Sequence, residues 1–564
     1  MLTVSTGIAS LGCGLLLWSF VWSSGPTVAR HRFWALLAAA TARLRAASQP
    51  PGPTTIQLGQ RSRSLRSEGV LPGILSRVNP GIARALVAGS SAAVLVLEIL
   101  AGRLLAPYVG VSLETFTGII GIVLAGIAAG AWMGGAIADQ RDAAPLIGSA
   151  LAVGGGLTWL VLPILSALGP QFGDGTVAIV ILSTAALFLP AAVLTAVSPM
   201  VAKLRLASLE DTGAVVGGLS AAGTLGALAG TFVTGFVLVS ALPTRATVLA
   251  LGTTLVLAGA MTHAYFTKRM PTSSALVLVL AGALLGGTSS RPCEHETSYF
   301  CANIVADEDN TSGRSLYLDG LRHAYVDLDD PTFLDIRYIR LFAQITDALP
   351  AGALDSLHIG GGGFSFPRYL QNERPGSSDI VLEIDAALVD LVEDELGLVQ
   401  NDSFRVQVGD ARLALSQMNN DQFDLVIGDA FASRSVPWHL TTEEFLGEVD
   451  RVLTTDGIYV MNVIDGGSFD FARAEVGTLM KIFRNVQVII PPGGLPERGV
   501  ANAVLIASQS ELPPFVIDAA DGTLLSPAVL LETGPISVDS ETVQFWDGAE
   551  SLRDDFAPVD QLQE

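Results

Sequence analysis

Leu357-His-Ile-Gly-Gly-Gly-Gly-Phe-Ser-Phe-Pro-Arg368, followed by Ile380-Val-Leu-Glu-Ile-Asp385, decides the fold of the C-terminal half. A short apolar run enters four glycines, a Ser-x-Pro helix start follows, and a second apolar run ends in two carboxylates roughly 20 residues later, the pattern of a nucleoside-binding βαβ unit. Gly360, Gly361, Gly362 and Gly363 allow the backbone to turn sharply and to approach a ligand with no Cβ in the way. Glu383, at the carboxyl end of the second strand, is placed to accept hydrogen bonds from ribose hydroxyls, with Asp385 beside it.

The elements around this unit alternate. Upstream, residues 299–306, 315–318 and 323–328 read as short strands with Asp319-Gly320 as a turn, a small β-subdomain joined to the glycine motif by a helix over 333–349. Downstream, the pattern predicts a helix over 386–398 and strands over 404–408 and 423–427. A capping box at Thr441-Thr-Glu-Glu444 then opens a helix over 442–453. A strand over 457–464, a helix over 468–484 and strands over 486–490 and 503–507 complete a doubly wound, mostly parallel sheet with one antiparallel strand. The Pro- and Asp-rich tail, 511–564, carries no pattern of its own.

The N-terminal half is of another kind. The 564-residue chain is 50% hydrophobic, and its two halves differ in charge: +8 over 1–290 and −30 over 291–564, which together give the formal −22. Apolar segments recur near 82–105, 114–137, 145–168, 176–200, 213–240, 246–266 and 272–288. Each meets the ~20-residue length of a bilayer-spanning helix, so residues 81–290 read as a multi-pass α-helical domain of about seven helices in a lipid bilayer. Residues 2–22 offer one further span. The Arg-, Pro- and Ser-rich stretch up to residue 80 is either a basic cytoplasmic arm or sequence ahead of the true start. Small residues at packing intervals, as in Gly126-Ile-Ala-Ala-Gly130 and Gly226-Ala-Leu-Ala-Gly230, point to close helix contacts. Glu98 and Arg103 fall inside the first helix of the bundle and Glu114 opens the second. Charges at such depth usually pair, so a Glu98–Arg103 contact beside a polar cavity is a functional candidate, with a snorkelling Arg103 the structural alternative.

Basic loops at Arg141, Lys203 with Arg205, and Lys268 with Arg269 all fall on the side of the N-terminal arm, which the charge rule makes cytoplasmic. Seven crossings then leave residue 291 onward outside the cytoplasm. That side suits a Cys293–Cys301 bridge, with two ordinary thiols as the alternative, and it conflicts with a cytosolic nucleoside ligand. The acidic second half argues against nucleic acid as a partner and suits a small cationic amine, although a well-solvated surface explains the same charge. The three cysteines cannot build a Cys-rich metal site, and no metal is expected. A homo-oligomer is compatible with the sequence.

Ligands of an open α/β sheet lie across the carboxyl ends of its strands, and polar groups stand at four of those ends: glycines 360–363, Glu383 with Asp385, Gly409-Asp410-Ala411, and Gly428-Asp429-Ala430. The set fits an adenosine, with glycines near the sugar and its substituent, Glu383 on the ribose and Asp410 on the adenine amine. A dinucleotide fits less well, because Phe366 stands where a third glycine is needed.

The order Leu318-Asp-Gly320, Ile359-Gly-Gly-Gly362, Glu383-Ile-Asp385, Gly409-Asp410, and Asp429 followed by Pro437 resembles the spermidine synthases, the polyamine aminopropyltransferases. The helical front, with Glu98-Ile-Leu-Ala-Gly-Arg103-Leu-Leu-Ala-Pro107, resembles their membrane-fused bacterial branch. The resemblance covers roughly residues 82–508. It implies a small β-domain before a methyltransferase-like core, and transfer of an aminopropyl group from decarboxylated S-adenosylmethionine to putrescine or a related amine. It also implies Glu383 on the ribose, Asp410 on the adenine, Asp429 as the base that takes the amine's proton, and His323 where the family usually has a glutamine beside the substrate. Two positions depart from the family pattern. Gly363 replaces the Asp that normally follows the three glycines, and Ala432 stands where Asp-x-x-Asp needs its second acid. Asp429 can still act as base, or the domain binds another nucleoside, methylates from S-adenosylmethionine, or senses polyamine without turnover while the membrane bundle transports.

Overall fold

The computed structural model describes residues 78–172, 175–206, 212–268, 273–289, 292–432, 435–466, 469–490, 500–525 and 551–562. All of them belong to one unit, Gly73–Glu564. The possible span at 2–22 and the basic arm lie outside the described residues.

Helix starts in the N-terminal half are set by short polar caps. Asn79 accepts from the Gly81 N–H (2.8 Å) to open α1, Pro80–Val109, with Pro80 in the first turn. Ser112 caps α2, Leu113–Gln140, and Asp142 caps α3, Ala143–Leu168. Then come α4, Thr176–Arg205, α5, Thr212–Ala241, and α6, Thr244–Thr267; α4 and α5 each contain one π-helical turn, at Thr184–Phe188 and Thr234–Leu238. These six are long and apolar enough to cross a membrane. The seventh expected span, 272–288, is described over Ser273–Thr288, α7, whose 16 described residues make about 24 Å of helix. It packs into the bundle, with Gly282 and Gly286 against the backbone of Gly156 and Trp159 on α3.

The small-residue stripes act as contacts, as expected. A Cβ on Gly126, Gly130 or Gly134 of α2 would run into α4 at Ala191, Ala192 or Ala196, and one on Gly226 or Gly230 of α5 would meet the backbone of Ala88 or Ala92 on α1. Without a hydrophobic drive between helices in lipid, such close backbone approach supplies the packing energy.

After α7 the chain enters a four-stranded antiparallel sheet, β1 (His295–Glu296), β2 (Cys301–Ala306), β3 (Gly313–Leu318) and β4 (Leu321–Asp327). Asp319 (φ 49°) and Gly320 (φ 82°) form the two-residue hairpin turn read from the sequence. Cys293 and Cys301 form a disulfide with Cα atoms 5.1 Å apart, fastening the segment that leaves the bundle to β2.

The α/β domain follows: α8 (Arg337–Asp347), β5 (Asp355–Ile359), α9 (Ser365–Glu373), β6 (Ser378–Glu383), α10 (Ala386–Leu396), β7 (Phe404–Val408), α11 (Ala411–Leu415), β8 (Phe423–Gly428), α12 (Glu443–Val452), β9 (Leu453–Gly466), α13 (Asp470–Ile482), β10 (Asn485–Ile490), β11 (Val500–Ser508) and β12 (Thr523–Leu525). The sheet order is β12-β10-β11-β9-β8-β5-β6-β7, with β7, β6, β5, β8 and β9 parallel. This is the expected doubly wound, methyltransferase-like arrangement. The expected antiparallel strand is β11, antiparallel to both β9 and β10, and the one difference is β12, which adds a further antiparallel pairing from the tail. The tail also returns over 551–562, where Leu552 and Val559 are buried in the main core and α14 (Val559–Leu562) ends the described chain. The 511–564 segment is therefore partly structural.

Arg103 does not pair with Glu98. Its guanidinium meets Glu296 of the β-subdomain (3.0 Å) and donates to the carbonyls of Thr297 and Ser298, while Glu296 also accepts from the N–H and hydroxyl of Thr244, at the start of α6. Glu114 accepts from the Thr176 hydroxyl (2.9 Å) at the start of α4. Arg103 thus ties the membrane bundle to the domain beyond it. Replacing it with Ala leaves Glu296 short of its counter-charge, at a cost of about 2–3 kcal/mol, below the 3–5 of a fully buried pair. Amide hydrogen exchange over residues 293–301 is expected to accelerate about 30- to 150-fold in that variant, and unchanged exchange there would refute the tie.

Candidate functional site

The strand order reverses between β5 and β8, so their carboxyl ends diverge and leave a crevice. Gly360 follows β5 and Asp429 follows β8, joined by the Asp429 N–H to the Ile359 carbonyl (2.9 Å). Gly360 has φ 94°, and a Cβ on it would strike the Asp429 carbonyl; Gly362 has φ 51°. The four-glycine run is needed at these points. Phe364, also left-handed (φ 55°), then starts α9 with its ring wholly buried.

Two adjoining cavities share this crevice. The first, about 100 Å³, is lined by Gly360, Gly361, Gly362, Glu383, Asp410, Ala411 and Asp429, with His323, Phe300, Leu318, Phe431, Pro437 and His439 completing the wall. The second, about 50 Å³, runs behind the glycines between Asp429, His323, Tyr338, His358, Gly363 and Phe366. The expected cofactor residues therefore come together, with two exceptions. Gly363 borders the second cavity rather than the first, and Asp385 lines neither, because its carboxylate caps α10 through the N–H groups of Ala387 and Leu388.

Glu383 is 5% exposed. One of its oxygens accepts from the Gly361 N–H (2.9 Å) and the other from the Asp385 N–H (3.0 Å). Burial raises its pKa, and those backbone bonds oppose the rise. Asp410 uses one oxygen to cap α11 through Leu413 (3.0 Å) and the other against His439 Nε2 (3.0 Å), so the carboxylate expected at adenine already has a histidine neighbour.

Asp429 lies on the wall common to both cavities. The Tyr338 hydroxyl donates to one oxygen (3.0 Å) and the Asn462 amide to the other (2.9 Å); Asn462 is in turn held by Asn502 (3.0 Å). Burial lifts the Asp429 carboxyl to about 6, with the Asn462 and Tyr338 hydrogen bonds holding it from going higher. A carboxylate so poised, oriented on both sides and open to a cleft, can accept a proton near neutral pH.

His323 reaches the crevice through a β-bulge. Arg322 faces Tyr317 and Ala324 faces Leu316, so His323 is the extra residue, a device that re-aims a side chain. Burial pushes its pKa down to about 4, and its Nε2 is buried with no protein partner among the described residues. Sequence reasoning missed Tyr338, Asn462 and His439. Only Asn462, a polar residue inside the apolar run Tyr459-Val-Met-Asn-Val463, carried a local signal.

Gly363 has a steric reason. A Cβ there would overlap the Ala324 methyl across the bulged hairpin. Gly363→Asp is accordingly expected to destabilise the domain by about 1–3 kcal/mol, and Ala324→Gly in the same chain to recover most of the loss in thermal unfolding. An undisturbed single variant would contradict the overlap.

No family model matches the chain. Over 174 residues it is 28% identical to a polyamine aminopropyltransferase of Vibrio vulnificus, a match covering 29% of this chain and 58% of that protein. Over 145 residues it is 27% identical to a probable polyamine aminopropyl transferase of Bifidobacterium longum, covering 25% and 32%. The chain thus spans little over half, and about a third, of the length of these relatives. Among solved structures, a probable spermidine synthase from Corynebacterium glutamicum is 27% identical, with a TM-score of 0.40 over 47% of this chain and 97% of that one. Spermidine synthase from Thermotoga maritima is 16% identical, with a TM-score of 0.30 over 48% and 84%.

Proposed function

We propose that the α/β domain transfers an aminopropyl group from decarboxylated S-adenosylmethionine to an amine, from a multi-pass membrane anchor. The observation that carries this is Asp429, a carboxylate lifted to about 6 on the wall shared by the crevice that gathers Glu383 and Asp410 and a small second cavity. The sequence likeness to polyamine aminopropyltransferases supports it.

The reaction is an in-line displacement. The amine nitrogen attacks the propyl carbon bonded to the sulfonium, the C–S bond breaks, sulfur keeps the electron pair as the thioether of methylthioadenosine, and Asp429 takes the proton released from nitrogen. Glu383 would hold the ribose, Asp410 the adenine amine beside His439, and His323 would offer its neutral Nε2 to the aminopropyl chain. The choice of donor follows from charge. Among the described residues lining the two cavities there is no Lys or Arg, so the carboxylate of S-adenosylmethionine itself would be desolvated without a counter-ion. The same point disfavours methyl transfer from that compound. Purified protein given decarboxylated S-adenosylmethionine and an amine should release methylthioadenosine; failure with every amine, while the nucleoside binds, would overturn the reading.

A second reading has two observations in its favour. The Cys293–Cys301 disulfide beside the junction, and basic residues at the opposite helix ends, where Lys203 meets Asp139 (2.6 Å) and Arg205 the Val78 carbonyl (3.1 Å), support an extracytoplasmic domain. There it would bind amines without turnover. A reporter joined after Glu564 that works only in the cytoplasm would remove this reading.

A further inference from the structure

β5 brings a buried histidine to the second cavity. His358 stands between Leu357 and Ile359, is 2% exposed, and lines the second cavity without reaching the first. Its Nε2 lies 2.8 Å from the Ser356 hydroxyl and 3.2 Å from an Asp379 oxygen. Ser356 gives its one hydroxyl proton to that same Asp379 oxygen, so the Ser356 oxygen is left to accept and the proton facing it belongs to Nε2. A ring with its single proton on Nε2 keeps a lone pair on Nδ1. That Nδ1 has no hydrogen-bond partner among the described residues, yet it is not sealed as His323 Nε2 is, so it opens on the cavity.

The charge behind the ring is uncompensated. Asp379 is wholly buried, takes a further bond from Gln371, and meets no Lys or Arg among the described residues. With a singly protonated ring, Asp379 and His358 together carry one negative charge, presented to the cavity through Nδ1.

The second cavity has a use for such a group. In-line displacement puts the attacking nitrogen on the side of the propyl carbon away from sulfur, so with the nucleoside in the first cavity the acceptor occupies the second. Its about 50 Å³ holds roughly three to five water-sized groups, which keeps the acceptor short. Asp429 is its one carboxylate among the described lining residues and takes the proton of the reacting amine. Gly363 also borders the cavity, but Ala324 closes it to a longer side chain, so no second carboxylate fits there.

We propose that His358, backed by Asp379, is the specificity-determining residue of the second cavity: its Nδ1 accepts a hydrogen bond from the far ammonium of a short diamine whose other amine attacks beside Asp429. This rests on the aminopropyl-transfer reading and adds the residue that selects its acceptor. No proton is transferred in the contact.

The test compares 1,4-diaminobutane with 1-aminobutane, which lacks the far ammonium, on the full chain. Two quantities are read for each amine: kcat/KM for methylthioadenosine release from decarboxylated S-adenosylmethionine, and affinity for protein saturated with methylthioadenosine. Wild-type protein should favour the diamine at least about ten-fold in both, a difference of about 1.4 kcal/mol, as expected for one hydrogen bond to a charged group. His358→Leu should bring the ratio close to one. Asp379→Asn keeps the packing around the ring, removes the charge behind it, and should lower the ratio as well; it carries the test if His358→Leu does not fold. His358→Gln, whose amide can donate toward Asp379 and offer an oxygen to the cavity, should restore part of the preference. A purely structural role would weaken both amines together and leave the ratio unchanged. A wild-type ratio near one, or a diamine preference that survives the variants, would overturn this inference and leave aminopropyl transfer standing. Diamine-selective binding that the variants abolish, with no methylthioadenosine release from wild-type protein, would support the His358 contact and overturn the transfer reading.

Discussion

Asp429→Asn should lower turnover by about 10²- to 10⁴-fold, the usual worth of a positioned base, while methylthioadenosine still binds. The asparagine keeps the shape of the side chain between Tyr338 and Asn462 but cannot take the proton lost by the attacking amine. Wild-type protein should show a second signature. Because an alkylamine must also be neutral to attack, log kcat/KM rises with unit slope above pH about 6 and steepens below it, where the Asp429 carboxyl is protonated. A profile with no break near 6 would remove Asp429 as base. Stability should move in the opposite sense to activity. Burial raises the folded-state pKa above the ordinary 3.8, so the folded protein holds this proton more tightly than the unfolded chain. The associated stability is complete below pH about 4 and is lost as pH climbs through about 6. Asp429→Asn removes that loss and should stabilise the protein at pH 7.5 by on the order of 1–2 kcal/mol, less than the full two-unit shift because the carboxylate borders the cleft. Below pH about 4 the gain should vanish.

Interactions made within a few residues were legible in the sequence. The glycines, the Ser365 helix start and Glu383 at the end of β6 follow from the local chain and set the parallel sheet and one side of the crevice, while the capping box read from Thr441 opens α12 one residue along, at Thr442. What depended on register was not legible. Tyr338 and Asn462 reach Asp429 from 91 and 33 residues away, and His323 lines the crevice only because a bulge on β4 turns it inward. The same holds for Arg103: a charge within an apolar helix announces a partner, but sequence spacing pointed to Glu98, five residues earlier, whereas the helix end points it at Glu296. The edge strand β12 and the return over 551–562 were hidden in a Pro- and Asp-rich stretch whose buried residues, Leu552 and Val559, are too sparse to show a period.

Glu383→Gln should weaken methylthioadenosine about 10- to 150-fold in isothermal titration. The carboxylate already accepts one backbone N–H on each oxygen, from Gly361 and Asp385. A carboxamide turns one of those oxygens into a donor, which must face a backbone N–H or swing away, leaving a buried donor unpaired at about 1–3 kcal/mol. The ribose hydroxyls then lose a charged acceptor, worth about 1.5–3 kcal/mol for one such bond. The first cost falls on the free and the bound protein alike and lowers stability, so only the second, about 1.5–3 kcal/mol, enters the affinity. A cycle separates them. Wild-type protein should prefer methylthioadenosine to its 2′,3′-dideoxy analogue, and Glu383→Gln should bind both with similar weakness, because only the hydroxyl-dependent part of the loss vanishes with the ligand's hydroxyls. If the variant keeps the wild-type preference, the ribose is held elsewhere and Glu383 serves only to fix the Gly361 turn.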